Sequence, residues 1–190
     1  MNTHRKEYII TITALDRVGI IHDVARAVSD MQGDLADMRQ QVLRGYFSMI
    51  LYVSFPSDVT TNEIKHHLSQ LDSTGEALEV SIKDVDQGLS DTVTDASSYV
   101  LTAAGKDRIG FVATVTQFCK ENTINILDLT TTVSDGRYIM ILFVDLSSCL
   151  SINVLRQSLD QFAAATDLSM VLQHNDIFKA TNEINCPTTN

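Results

Sequence analysis

Basic residues are scarce in this chain of 190: 14 Lys and Arg stand against 24 Asp and Glu, a net charge of −10. A surface of that sign repels phosphate, and no stretch gathers cations into a stripe, so direct nucleic-acid binding is not expected. Proline occurs twice and glycine eight times, which excludes collagen-like and low-complexity classes. The three cysteines, Cys119, Cys149 and Cys186, cannot all pair within the chain, and none belongs to a CxxC pair. Zinc-ribbon and thioredoxin-like readings therefore lack support, and reduced, mostly buried thiols are expected. Apolar runs are short too. The longest, 138–144, falls far below the ~20 residues of a membrane helix. Residues 8–15, interrupted by threonines and followed by Asp16, have the character of a strand rather than a signal sequence. A cytoplasmic protein without a membrane partner is the expectation. A Gly-rich phosphate loop, a GxSxG elbow and a histidine near a plausible nucleophile are missing as well. No catalytic residue and no cofactor is assigned. His66 and His67 are adjacent, so on a helix they diverge by about 100° and cannot clamp one metal ion.

What the chain does have is a repeat. Hydrophobic residues make up 44% and charged residues 20%, an ordinary folded composition. Shifting the sequence by 91 positions lays residues 8–53 on 99–144 without a gap, with 13 of 46 positions identical. Chance would give about three at ordinary composition. Asp16-Arg17 falls on Asp107-Arg108, Gly19 on Gly110, Asp37 on Asp128 and Gly45 on Gly136. Two units are expected, 1–86 and 98–190. Between them 87–97 is polar, small and without periodicity, as a linker is.

Each unit spells the same order of elements. In the first, 7–14, 35–43, 46–55 and 77–82 read as strands and Arg44-Gly45 as a turn. A helix over 20–31 carries the stripe Ile21, Val24, Ala25, Val28 and Met31, and a second begins at Thr60 with Glu63 completing a capping box. In the second, strands are expected at 99–104, 125–133, 137–146 and 168–173, and helices at 111–121 and 152–165 with Ser151 as N-cap. The order βαββαβ is the ferredoxin-like pattern, an α+β fold with both helices on one face of an antiparallel sheet. The bare face of the second unit then carries Ile139, Ile141 and Phe143. Three neighbouring large apolar side chains call for a cover: the other unit, a second chain or the C-terminal tail.

The repeated segment Asp-Arg-x-Gly lies between the first strand and the first helix of each unit. Gly19 and Gly110 permit unusual dihedrals. The helix behind them offers free amides and the positive end of its dipole, which suits a small carboxylate. Asp16 and Asp107 are placed either to cap that helix or to accept from an ammonium group, and Asp37 and Asp128 on the second strand add acceptors. An equally good structural account is a tight turn with the aspartate as cap and the arginine solvated.

A βαββαβ unit opening with Ile-Thr-Ala-Leu-Asp-Arg-Val-Gly-Ile-Ile, residues 12–21, resembles the ACT domain, a module that binds amino acids. Two such units resemble the tandem-ACT family that includes the glycine cleavage system transcriptional repressor. The third strand, 45–53, and the segment from Asp176-Ile177-Phe178 to Ile184 share that resemblance. Where that family ends in His-Arg-Ile, this chain has Asn182-Glu183-Ile184. The resemblance implies a ligand where two domains meet, at Asp16, Arg17, Val18, Gly19 and Ile20 with Asp37, and at Asp107, Arg108, Ile109, Gly110 and Phe111 with Asp128. Phe111, where the first unit has Ile20, is expected to fill its seat and leave the first loop as the better site. It further implies a non-catalytic sensor of a small amino acid, glycine or serine, that modulates a transcription factor and assembles with further copies. The alternative is a ligand-independent interaction module that docks partners on Ile139, Ile141 and Phe143.

Overall fold

Alternation along strand β3 (Tyr46–Pro56) organises the first unit. Phe47, Met49, Leu51, Val53 and Phe55 are each at most 2% exposed, and the residues between them turn the other way. Strand β2 (Asp34–Leu43) joins β3 through the two-residue turn Arg44-Gly45, whose φ angles are 51° and 84°. Two positive φ values define the I′ turn, whose twist matches the flanking strands. Strand β1 (Arg5–Leu15) pairs with both β3 and β4 (Glu79–Asp84). The sheet order is β2-β3-β1-β4, antiparallel throughout. Helices α1 (Ile20–Asp30) and α2 (Thr61–Ser69) cover the inner face of β3, burying Ile20, Val24, Ala27, Val28, Ile64 and Leu68. Each buried Ile, Val or Leu among them contributes about 1.5–3 kcal/mol. The stripe expected on α1 is corrected: Ile21 is 39% exposed and Ala25 lies outside, while Ile20 and Ala27 face inward. The i, i+4, i+7, i+8 set that begins at Ile20 makes the tighter face. The capping box of α2 is formed as the Thr60–Glu63 spacing predicts. Thr60 Oγ1 accepts from the Glu63 amide at 3.3 Å, and the Glu63 carboxylate accepts from the Thr60 amide at 2.8 Å.

The computed structural model describes residues 4–71, 77–85, 98–134, 136–149 and 151–182. The expected linker, the residues beyond 182 and Cys186 lie outside them. The chain divides into two units, Met1–Ser90 and Asp91–Asn190. In the second, β5 (Ser98–Lys106), α3 (Phe111–Glu121), β6 (Asn125–Ser134), β7 (Arg137–Asp145), α4 (Ile152–Thr166) and β8 (Ser169–His174) repeat the first. The order is β6-β7-β5-β8. Register carries over as well: Tyr8 faces Val53, and Tyr99 faces Val144. The bulge between Leu35 and Asp37 recurs between Ile126 and Asp128. The chain thus adopts the expected α+β fold of two βαββαβ units.

Three details differ from expectation. β4 lies two residues later than 77–82, and Ser151 caps α4 by position without a side-chain bond. Its carbonyl accepts from the Leu155 amide at 3.0 Å instead. The third is a fifth helix, α5 (Asn175–Asn182), which packs on β5 and β8. It explains the fate of the bare face. Val100 stands opposite Phe143 and Gln173, on the side away from α3 and α4, yet is 1% exposed. The Phe178 ring of α5 meets Phe143 edge-on, with centroids 6.1 Å apart. Ile139 and Ile141 are half-buried. Of the three candidate covers, the C-terminal segment closes over Val100 and Phe143. Among the described residues no helix is long and apolar enough to cross a membrane.

Candidate functional site

The loop that ends β1 is fastened at both ends. The Asp16 amide donates to the Gly45 carbonyl at 2.8 Å, which ties the loop to the β2–β3 turn. Gly19 then takes φ 88° and serves as N-cap of α1, and Gly110 takes φ 86° ahead of α3. A side chain is disfavoured at such dihedrals by about 1 kcal/mol or more, and glycine removes that penalty. The Asp16 and Asp107 carboxylates do not cap these helices, contrary to one expectation. Among the described residues no side chain does, so the Ile21 and His22 amides, like those of Val112 and Ala113, have no side-chain acceptor there.

Arg17 is not solvated, and its Nη1 donates to the Val18 carbonyl within the loop at 3.4 Å. Its Nη1 lies 2.7 Å from Asp23 Oδ2, and its Nη2 donates to the Leu71 carbonyl at 3.0 Å beyond the end of α2. The side chain is 19% exposed, and the guanidinium stitches loop, first helix and second helix together. Arg108 makes the corresponding bond to the Thr166 carbonyl at 3.0 Å, but Thr114 replaces Asp23 at the repeat position. Its hydroxyl donates to the Gly110 carbonyl at 3.0 Å, and Arg108 stays exposed. Asp23 escaped the sequence reading. The available signal was an acid in the first turn of a helix.

Val18 and Ile109 are fully exposed at the loop tips, whereas Ile20 and Phe111 are 3% and 2% exposed and belong to the cores. Phe111 therefore does not plug a ligand seat. Its ring packs on Tyr138 with centroids 4.9 Å apart, and Ile20 and Phe111 present only backbone to the loop. Phe111, buried in the core, gives no reason to prefer the first loop.

Asp37 and Asp128 are not brought to the loop of their own unit. Asp37 shares a rung with Tyr52 and Ile9, whereas the loop leaves the sheet after Leu15, six rungs away. At ~3.3 Å per residue that is roughly 20 Å. Both aspartates instead shape the bulges. Asp37 Oδ1 accepts from the Met38 amide at 2.7 Å, and Asp128 Oδ1 from the Leu129 amide at 2.8 Å. Within one unit the assembled part of the site is the loop, 16–20 or 107–111, with its helix N-terminus.

A family model described as the ACT domain matches residues 7–84 and again 98–173. Fold and duplicated loop thus define the class as ACT-domain regulatory proteins. The chain belongs to the ACT-domain family and carries two copies of the domain. A UPF0237 protein of Clostridium perfringens is 35% identical over 86 residues, which cover 45% of this chain and 97% of that protein. Another, from Methanocaldococcus jannaschii, is 34% identical over 89 residues, 46% of this chain and 99% of its own. Less than half of this chain matches each of these relatives almost entirely. Among solved structures, an unknown protein from Galdieria sulphuraria aligns with a TM-score of 0.70 at 22% identity, over 90% of this chain and 98% of that one. A protein provisionally assigned as a glycine cleavage system transcriptional repressor aligns with a TM-score of 0.70 at 20% identity, over 89% and 96%. At such identities the likeness concerns the fold.

Proposed function

We propose that the protein is a non-catalytic cytoplasmic regulator that senses a small free amino acid, glycine or serine by analogy, and passes the signal to a transcription-factor partner. The observation that carries this reading is the loop built twice to one geometry, with a left-handed glycine ahead of a helix that no described side chain caps. A carboxylate seated before α1 meets the Ile21 and His22 amides at the positive end of the helix dipole. The exposed Asp16 carboxylate is free to take the ammonium group. The bonds of Arg17 to Asp23 and Leu71 hold the loop in shape, and Arg108 lacks the acid partner, which favours the first loop. Asp37 joins such a site only from a different unit or a second copy of the chain. A net charge of −10 argues for a protein partner rather than DNA. Bound amino acid shifts the preferred arrangement of domains only through its differential affinity for the alternatives. About 1–3 kcal/mol is the usual scale of such coupling.

Calorimetry and thermal shift with a panel of free amino acids test the reading, on the wild type and on Gly19→Trp and Gly110→Trp. A Cβ at either glycine meets open space, so the indole occupies the loop mouth rather than the core. The expected result is a stabilising ligand whose effect disappears in Gly19→Trp. Silence with every amino acid overturns the proposal. Docking of a partner on Ile139, Ile141 and Phe143 is less favoured, because a partner has to displace α5 from Phe143 first.

A further inference from the structure

Strand alternation gives the sheet of the first unit an outer face, turned away from α1 and α2. At one end of that face Leu43, Tyr46 and Leu15 share a rung across β2, β3 and β1. They are 70%, 60% and 46% exposed, and Ile50, two rungs further along, is 45% exposed. Large apolar side chains gathered on one face and left in water mark an interaction surface. The same face of the second unit is closed by α5, through Phe178 on Phe143. Residues 86–97, which follow β4 in the first unit, contain no aromatic residue to repeat that contact. Charge on the face is ordered as well. One rung begins with Asp37 on β2 and ends with Lys83 on β4, across Tyr52 and Ile9. The next begins with Arg39 and ends with Ser81, and the third ends with Glu79. Over these rungs two acids balance two bases, although the whole chain carries −10. Among the described residues none of the four is in an ion pair.

We propose that a second copy of the chain docks on this face, sheet against sheet, about a two-fold axis parallel to the strands. Such an axis lays β2 of one copy over β4 of the other, and β3 over β1, rung on rung. Asp37 then faces Lys83 of the partner subunit. Arg39 faces Ser81 of the partner subunit, with Glu79 of the partner subunit one rung along. Tyr46 covers Leu15 of the partner subunit, and Ile50 covers Thr11 of the partner subunit. Symmetry makes each contact twice. An axis across the strands lays β2 on β2 instead, and the register that joins Lys83 to Glu79 there sets two Arg39 side chains against each other. The parallel axis satisfies both edges at once, and the complementary charges fix its register. Four rungs on four strands span roughly 19 by 26 Å, which with side-chain relief approaches the ~800 Å² per partner of a stable interface. The face contains none of the loop residues 16–20, and assembly is measured without added amino acid, so the outcome is separate from the loop reading.

Sedimentation velocity of the full chain over a concentration series tests it. A dimer is expected. Ile50→Glu and Tyr46→Glu, both at exposed positions, are each expected to raise its dissociation constant at least about tenfold. Lys83→Asp is expected to weaken the dimer, and Asp37→Lys added to it is expected to restore assembly, since the exchange rebuilds the pair in the opposite sense. Val171→Glu, at a 47% exposed position on the outer face of the second unit, is expected to assemble as the wild type does. Circular dichroism and melting curves check that each variant folds. A chain that stays monomeric up to ~0.1 mM overturns the proposal. So does a dimer that Ile50→Glu and Tyr46→Glu leave unchanged, a dimer that Val171→Glu disrupts equally, or an exchanged charge pair that fails to restore assembly in a folded variant.

Discussion

After the loop glycine the first unit has Ile20 and the second has Phe111, and the two cores absorb the difference in one place. Gly105 stands where the first unit has Ala14. A Cβ at Gly105 would lie 2.6 Å from Leu168 Cδ2 and 3.2 Å from the Phe111 ring. The volume removed from β5 is the volume Phe111 takes. The outer sheet faces diverge more. The first unit presents Thr11, Thr13, Ser48 and Arg39 around Ile50, which is 45% exposed. The second presents Val100, Ile139, Ile141 and Phe143, and adds α5 above them. Strand register and loop dihedrals tolerated the divergence because they rest on backbone bonds. Side chains on the two faces answer only to what covers them.

The largest effect expected from breaking this contrast comes from ending the chain after His174. Val100 then faces water and Phe143 loses its ring partner. A loss of about 2–4 kcal/mol is expected in the second unit, with the first unaffected, as urea unfolding followed by hydrogen exchange in each unit reads out. Next, Gly105→Ala is expected to cost about 1–3 kcal/mol by overpacking. Adding Phe111→Ile imports the other half of the first unit's pair and recovers part of that loss, a coupling that a double-mutant cycle measures. Third, Arg17→Ala is expected to destabilise by about 1–2 kcal/mol and Arg108→Ala by under about 1, since only Arg17 is half-buried with an acid partner. Thermal unfolding of Asp23→Thr, which carries the second unit's residue at that place, is expected to narrow the gap.

Smaller still is the contrast between helix starts. Thr60→Ala is expected to cost about 1 kcal/mol, and Ser151→Ala only a few tenths, because the Ser151 side chain makes no cap bond. The amide and hydroxyl of Thr60 hold the Glu63 carboxyl below its ordinary pKa. Its stabilisation is therefore complete above the unfolded carboxylate pKa and fades as the pH falls through the lowered folded value. Melting curves of wild type and Glu63→Gln are expected to converge on acidification. Last, burial pushes the Cys119 thiol up to about 11 and raises that of Cys149. At neutral pH roughly one Cys119 in ten thousand is thiolate, so alkylation of the folded protein at that position is expected to be slow.

Much of this was legible beforehand. The 91-residue offset, the period-two alternation of β3, the Arg44-Gly45 turn and the Thr60–Glu63 box are local patterns, and local patterns survive in sequence. The distance between Asp37 and the loop did not, because it depends on which rung of the ladder each occupies. Nor did the inward turn of Ile20 and Phe111, since a strand-to-helix corner resets which face a residue takes. Helix α5 is short, and its covering role is decided by a face built elsewhere.

The helix over Val100 also sets an order of events during synthesis. The first unit has all its strands once residue 84 has emerged from the ribosome, and it can close while the rest is still being made. The second unit can assemble its sheet by residue 174, but its outer face stays uncovered until residues 175–182 follow. During that interval Val100 and Phe143 are open to chaperones, to neighbouring nascent chains and to the finished first unit. The second half of the molecule is where quality control would find its handle.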